Sequence, residues 1–174
     1  MPRRFIRIAL IAFPLILAAS AAAADDAQDA KSRPTREEIL DQMAKVRSTP
    51  SAPGRIAGVL AGLDHTATPR SDFLFCTGLA HLGDARAQAC VAKAYERGIG
   101  VVEDWMEAHA WYELACETGI PDADEARKTA EARDQLTMRL MSAYPHPTEE
   151  ELADQVGALK STIARYRAEI EAPK

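Results

Sequence analysis

The chain has 174 residues, with 21 Lys and Arg against 26 Asp and Glu, a net charge of −5. That acidic balance argues against nucleic acid, whose phosphates call for a basic surface, and against anionic lipid. Only 6% of the residues are aromatic, so any place where aromatics gather needs a structural reason.

Residues 1–24 open with Arg3, Arg4 and Arg7, run through an uncharged apolar stretch and end on small residues at Ala22 and Ala24. This order predicts a secretory signal peptide cleaved after Ala24, with a retained membrane anchor as the alternative. Cleavage would remove three arginines and leave 18 basic against 26 acidic side chains, a net −8. No later apolar run is long enough to span a bilayer, so no stable membrane insertion is expected after cleavage, and the expected location is periplasmic or secreted.

Residues 25–34 are polar and read as a flexible linker. Thr35 followed by Glu38 forms a capping-box pair, and Ile39, Leu40, Met43 and Val46 mark one face of an N-terminal helix within 35–50. The segment 48–54, STPSAPG, breaks it. A short apolar helix is expected over 55–63. Ser71 or Asp72 then opens a helix through Phe73, Phe75, Leu79 and Leu82, which stops at Gly83. Helices follow over 84–97, stopping at Gly98, and over 104–118, capped by Asp104 with Glu107 three residues on. Another capping helix is expected within 124–145, beginning from Asp122 and ending at the PHP of 145–147. Thr148 and Glu151 start a last helix in 147–174. No stretch alternates as a strand does, so the fold class is all-α.

Within this pattern the period is fixed. Gly62 and Gly98 lie 36 residues apart, as do Gly83 and Gly119, Ala87 and Ala123, and Phe75 and Trp111. Such a period marks a helical repeat. The stretch 95–119, YERGIGVVEDWMEAHAWYELACETG, holds both tryptophans of the chain. With its flanks, over 87–123, it carries Ala87, Tyr95, Gly98, Gly100, Val101, Asp104, Ala108, Trp111, Tyr112, Ala115, Gly119 and Ala123 at the spacing of the Sel-like repeat, a branch of the tetratricopeptide superfamily, and resembles that family on 12 of its 15 spaced positions. Val91 and Ala92 replace its Leu-Gly, and Cys116 replaces its second alanine. Residues 87–123 match well and 51–86 form a degenerate copy. The resemblance implies a short α/α solenoid of one good and one degenerate repeat in region 51–123, closed by N- and C-terminal capping helices. Bottom-up, Gly98 and Gly100 allow the reversal, Asp104 caps the next helix, and Ala108 and Ala115 let helices approach while Trp111 and Tyr112 fill the space between pairs.

Cys76 and Cys90 stand seven residues either side of Gly83, which would bring them level on antiparallel helices. Cys76–Cys90 is the expected disulfide; Cys90–Cys116 and three reduced, buried cysteines are the other options. The odd cysteine raises a thiol-dependent enzyme as a reading. Cys116, however, lies near a helix C-terminus, which raises rather than lowers a thiol pKa. His65, His81, His109 and His146 have no metal-ligand spacing, and no nucleophile elbow or phosphate loop occurs, so no metal, cofactor or catalytic residue is expected. His81 near a helix end suits the dipole as a cation.

Leu152, Val156, Leu159, Ile163, Tyr166 and Ile170 form a heptad seam. It either docks on the repeats as a cap or pairs with another chain, a homodimer included. In the tetratricopeptide superfamily the first helix of each pair usually lines the concave side, so the resemblance implies adaptor or scaffold work with a protein or peptide partner. The residues left for that partner are Gln88, Lys93 and Glu96, with Trp105 as a half-exposed hot-spot candidate. Self-association through the last helix is the alternative function.

Overall fold

The computed structural model describes residues 31–172. The expected signal peptide and most of the 25–34 linker lie outside the described residues. Seven α-helices and no strand occur among the described residues, so the fold is all-α. They are α1 (Arg36–Arg47), α2 (Ala52–Gly62), α3 (Pro69–His81), α4 (Ala85–Arg97), α5 (Trp105–Thr118), α6 (Ala123–Ser142) and α7 (Glu149–Glu171), with a single 3₁₀ turn, Leu63–His65, after α2.

Short polar side chains start most of them. Thr35 and Thr148 form reciprocal capping boxes with Glu38 and Glu151. Asp84, Asp104 and Asp122 each accept from the backbone N–H three residues on, at 2.9–3.0 Å. Two starts differ from expectation. Helix α2 begins at Ala52 and α3 at Pro69, both inside segments read as loop. The reason is that proline is at home in a first turn, where its missing N–H has no intrahelical partner to lose. Asp104 and Glu107 also fall short of a reciprocal box. The Asp104 N–H goes to the Tyr95 carbonyl at 2.9 Å, which frees the Glu107 carboxylate to face elsewhere.

Helix α4 lies at the centre, packed on α2, α3 and α5, with α6 packed on α5. Its alanines permit this: Ala87, Ala92 and Ala94 have no exposed surface, and Val91 and Tyr95 are also buried. Across from them Ala108, Trp111, Tyr112 and Ala115 of α5 are buried. Phe73 meets the Tyr95 ring edge-on, centroids 5.5 Å apart.

The α4–α5 reversal depends on two glycines. Gly98 (φ 64°) ends α4 in a left-handed conformation, and Gly100 (φ 69°) presses its Cα against the Pro69 carbonyl, leaving no room for a Cβ. Cys76 of α3 and Cys90 of α4 stand within disulfide-bonding distance, Cα atoms 6.0 Å apart, and Cys116 is free.

The last helix folds back along the molecule. Leu152, Leu159, Ile163 and Tyr166 are buried, and α7 packs on α5, α1 and α3. Tyr166 stacks on His81 at 5.6 Å, and the Arg167 guanidinium donates to the His81 carbonyl at 2.6 Å. At the other terminus residues 31–34 are tied down: the Val102 N–H donates to the Lys31 carbonyl, Arg70 to the Ser32 carbonyl, and Arg33 pairs with Asp104 and Glu107. This part of the linker is therefore fastened to the body.

Candidate functional site

Helices α2, α4 and α6 border an open groove of about 460 Å³. Its floor is small and apolar, with Ala57, Leu60 and Ala61 from α2, Ala89 from α4 and Ala132 from α6. Lys93, Glu96, Arg97 and Lys128 supply charge of both signs. One strip of α4 faces the groove because residues 89, 93, 96 and 97 recur at helical spacing.

The charged residues are held by distant partners. Lys93 and Arg97 reach Asp64 at 2.7 and 2.6 Å, and the Lys93 hydrogen bond, with both positive charges beside it, keeps the Asp64 carboxyl below its usual value. Glu96 accepts the Tyr112 hydroxyl at 2.9 Å and pairs with Arg139. Burial, aided by Glu96, pushes the Tyr112 phenol up, so it stays a neutral donor. Arg139 also lies 5.3 Å from the Trp105 ring, which places the half-buried Trp105 at the end of the same chain of contacts.

Thus Lys93 and Glu96 come together in one groove, with Trp105 linked to Glu96 through Arg139. Gln88 does not join them. It is 1% exposed, donates to the Ala80 carbonyl at 3.4 Å, and its carbonyl oxygen has no partner. The turn at Gly83 brings the end of α3 over it, and periodicity along α4 alone gives no sign of that. Ala87, Tyr95, Ala108, Trp111, Tyr112 and Ala115 are buried, while Gly98, Gly100 and Asp104 make the reversal and Gly119 ends α5 with φ 85°.

One surface feature escaped sequence reading. Met138 and Met141, near the C-terminal end of α6, and Tyr144, just beyond it, are exposed by 65%, 40% and 98%. Met138 lies beside Glu96 and Gln135, where the groove continues along α6. Three- and four-residue spacing of apolar residues was the available signal. In α6 it belongs to two faces, since Leu136 and Leu140 are buried.

The remaining chemical groups are enclosed. His81 is buried and neutral, its pKa lowered to about 4 chiefly by burial, so it is no cation at a helix end. Burial likewise lowers His109, whose Nδ1 has no partner. Burial pushes the Cys116 thiol up, against the pull of Arg133. Among the described residues no group of three His, Cys, Asp or Glu is placed to hold a metal ion, and no helix is long and apolar enough to cross a membrane. No family model, no curated protein and no solved structure matches this chain.

Proposed function

We propose that this protein is an exported, non-enzymatic adaptor or scaffold that holds a peptide or protein segment in the groove between α2, α4 and α6, on a short solenoid of Sel-like type. The observation that carries the reading is the uncovered groove itself, apolar on its floor and continuous along α6 with the exposed Met138. A floor of alanines gives a bound segment close access, and exposed methionine adapts its shape to a partner surface. The resemblance of 87–123 to the Sel-like repeat supports the same reading, as does the position of Lys93 and Glu96. The heptad seam of α7 is already occupied by its own chain, which weighs against self-association through that helix. A thiol held above its usual pKa is a poor nucleophile at neutral pH, which weighs against thiol chemistry at Cys116.

The test is affinity capture with the tagged chain from its native envelope, repeated with Lys93→Glu and Ala132→Arg. Both substitutions fall on partly exposed groove residues. A partner held by the wild type and lost at least tenfold in both variants is the expected result. A partner retained by both would move the binding face away from the groove.

A further inference from the structure

A second cavity lies on the other side of α4. Helix α7 crosses the body there and leaves a slot of about 220 Å³ beside α4 and α5, with Arg33 in its lining. Val91 and Tyr95 face this slot, roughly half a turn around α4 from Ala89 and Lys93 of the groove. The slot is independent of the adaptor reading and goes beyond it.

Three groups of the slot's lining keep acceptor sites that no donor of the described residues fills. The His81 ring nitrogen Nδ1 lies 2.9 Å from the Thr77 carbonyl, which can only accept, so Nδ1 carries the proton. Nε2 is left as an acceptor with no partner among the described residues. Glu107 takes the Gln155 amide at 2.9 Å and Arg33 at 3.4 Å, both on Oε1; Oε2 accepts nothing. The Tyr95 hydroxyl also has no hydrogen-bond partner among the described residues, and Tyr95 is part of the slot's lining. Three acceptors therefore belong to the lining of one slot, together with the Trp111 and Tyr95 rings, and the His81 ring lies 5.2 Å from Trp111. Burial pushes the Glu107 carboxyl up, against the pull of Arg33 and with the nearby Asp104 charge adding to the rise. Arg33 reaches Glu107 from outside: its side chain is 62% exposed and is shared with Asp104.

An ammonium group answers each of these features. It brings three donors and a full positive charge, and aromatic faces attract cations. Size limits the rest of the ligand. Drug-sized ligands need about 300–1,000 Å³, so this slot suits one aliphatic chain. We propose that the slot binds a primary ammonium group on an unbranched aliphatic stem, with Glu107 as counter-ion, His81 Nε2 and the Tyr95 hydroxyl as further acceptors, and Trp111 along the stem. A lysine side chain and a free alkyl diamine share this chemistry.

The test is isothermal titration of the full chain with N-acetyl-lysine methylamide and with the norleucine counterpart, which keeps the stem and lacks the ammonium. The lysine derivative should bind one to one and at least tenfold more tightly. Glu107→Gln should weaken it at least tenfold. Arg33→Ala should tighten it several-fold by removing the internal competitor, a gain that a merely structural role for Arg33 would not produce. Lys93→Glu, in the groove, should leave it unchanged, so failure here and failure of the adaptor reading are distinguishable. Cadaverine binding as tightly as the lysine derivative would identify free amines as sufficient; a lysine-only response would assign the site to peptide. Equal binding of the norleucine compound, no detectable binding of any amine, or an unaltered affinity in Glu107→Gln would overturn the proposal. If circular dichroism shows Glu107→Gln unfolded, Arg33→Ala decides: tightening supports the site, and unchanged or weaker binding overturns it.

Discussion

Replacing Gly100 with alanine isolates what the α4–α5 reversal requires. Gly98 and Gly100 share nearly the same backbone, φ 64° and 69°. For each, a left-handed conformation costs a non-glycine residue roughly 1–2 kcal/mol. Their surroundings differ. A Cβ on Gly98 meets its nearest neighbours at 3.5–3.6 Å, ordinary contact, whereas one on Gly100 runs into the Pro69 carbonyl and Arg70 N, backbone atoms that cannot rotate away. Overpacking of that kind adds roughly 1–3 kcal/mol. Gly98→Ala should therefore cost about 1–2 kcal/mol and Gly100→Ala about 2–5 kcal/mol, the difference reflecting the push on the start of α3. Urea unfolding followed by helical circular dichroism gives both values at one m-value. Should Gly100→Ala prove as mild as Gly98→Ala, the close approach of the 98–104 turn to Pro69 would be refuted.

Three further outcomes rest on the same geometry. Reducing Cys76–Cys90, whose partners are 14 residues apart in sequence, should lower stability by about 3 kcal/mol through the released loop entropy, read from urea melts with and without reductant. His81 binds a proton less readily folded, at a pKa of about 4 against 6.5, so its contribution is intact above pH 6.5 and falls away as pH drops towards 4. Between pH 7 and pH 5 it should cost about 2 kcal/mol, a component that His81→Gln removes; a wild type and variant with the same pH slope would contradict the burial of that ring. Cys116, its thiol pushed up by burial, should react with iodoacetamide at pH 7 more slowly than free glutathione, measured by mass spectrometry, and faster labelling would reinstate a reactive thiol.

Local chemistry made much of this fold readable. Thr35, Asp84, Asp104, Asp122 and Thr148 announce their helices because each cap bonds a backbone N–H three residues away, within the window that sequence displays. The starts of α2 and α3 were harder because Pro53 and Pro69 read as loop residues, yet a proline in a first turn interrupts nothing. The seam of α7 was visible as Leu152, Leu159, Ile163 and Tyr166, but a heptad does not say whether its partner is the same chain. Gln88 shows the sharper limit. Helical periodicity assumes one buried face, while α4 is enclosed by α2, α3 and α5 at once, so a polar residue on its nominal outer face ends up inside. Glu107 shows the converse. Its spacing from Asp104 reads as a capping box, and only the long-range bond from Asp104 to Tyr95 turns it towards the slot. The groove was half legible: Lys93 and Glu96 were named on the helix face that the resemblance leaves open, while Asp64 and Arg139, which hold them, lie 29 and 43 residues away.

The most direct measurement is site-specific photocrosslinking in living cells, with the reactive residue placed at Ala61 on the groove or at Ala153 on the exposed side of α7. If the groove binds the partner, one adduct forms from position 61, is absent from position 153, and disappears when Ala132→Arg is added. Adducts from position 153 alone, or a position-61 adduct indifferent to Ala132→Arg, would contradict it.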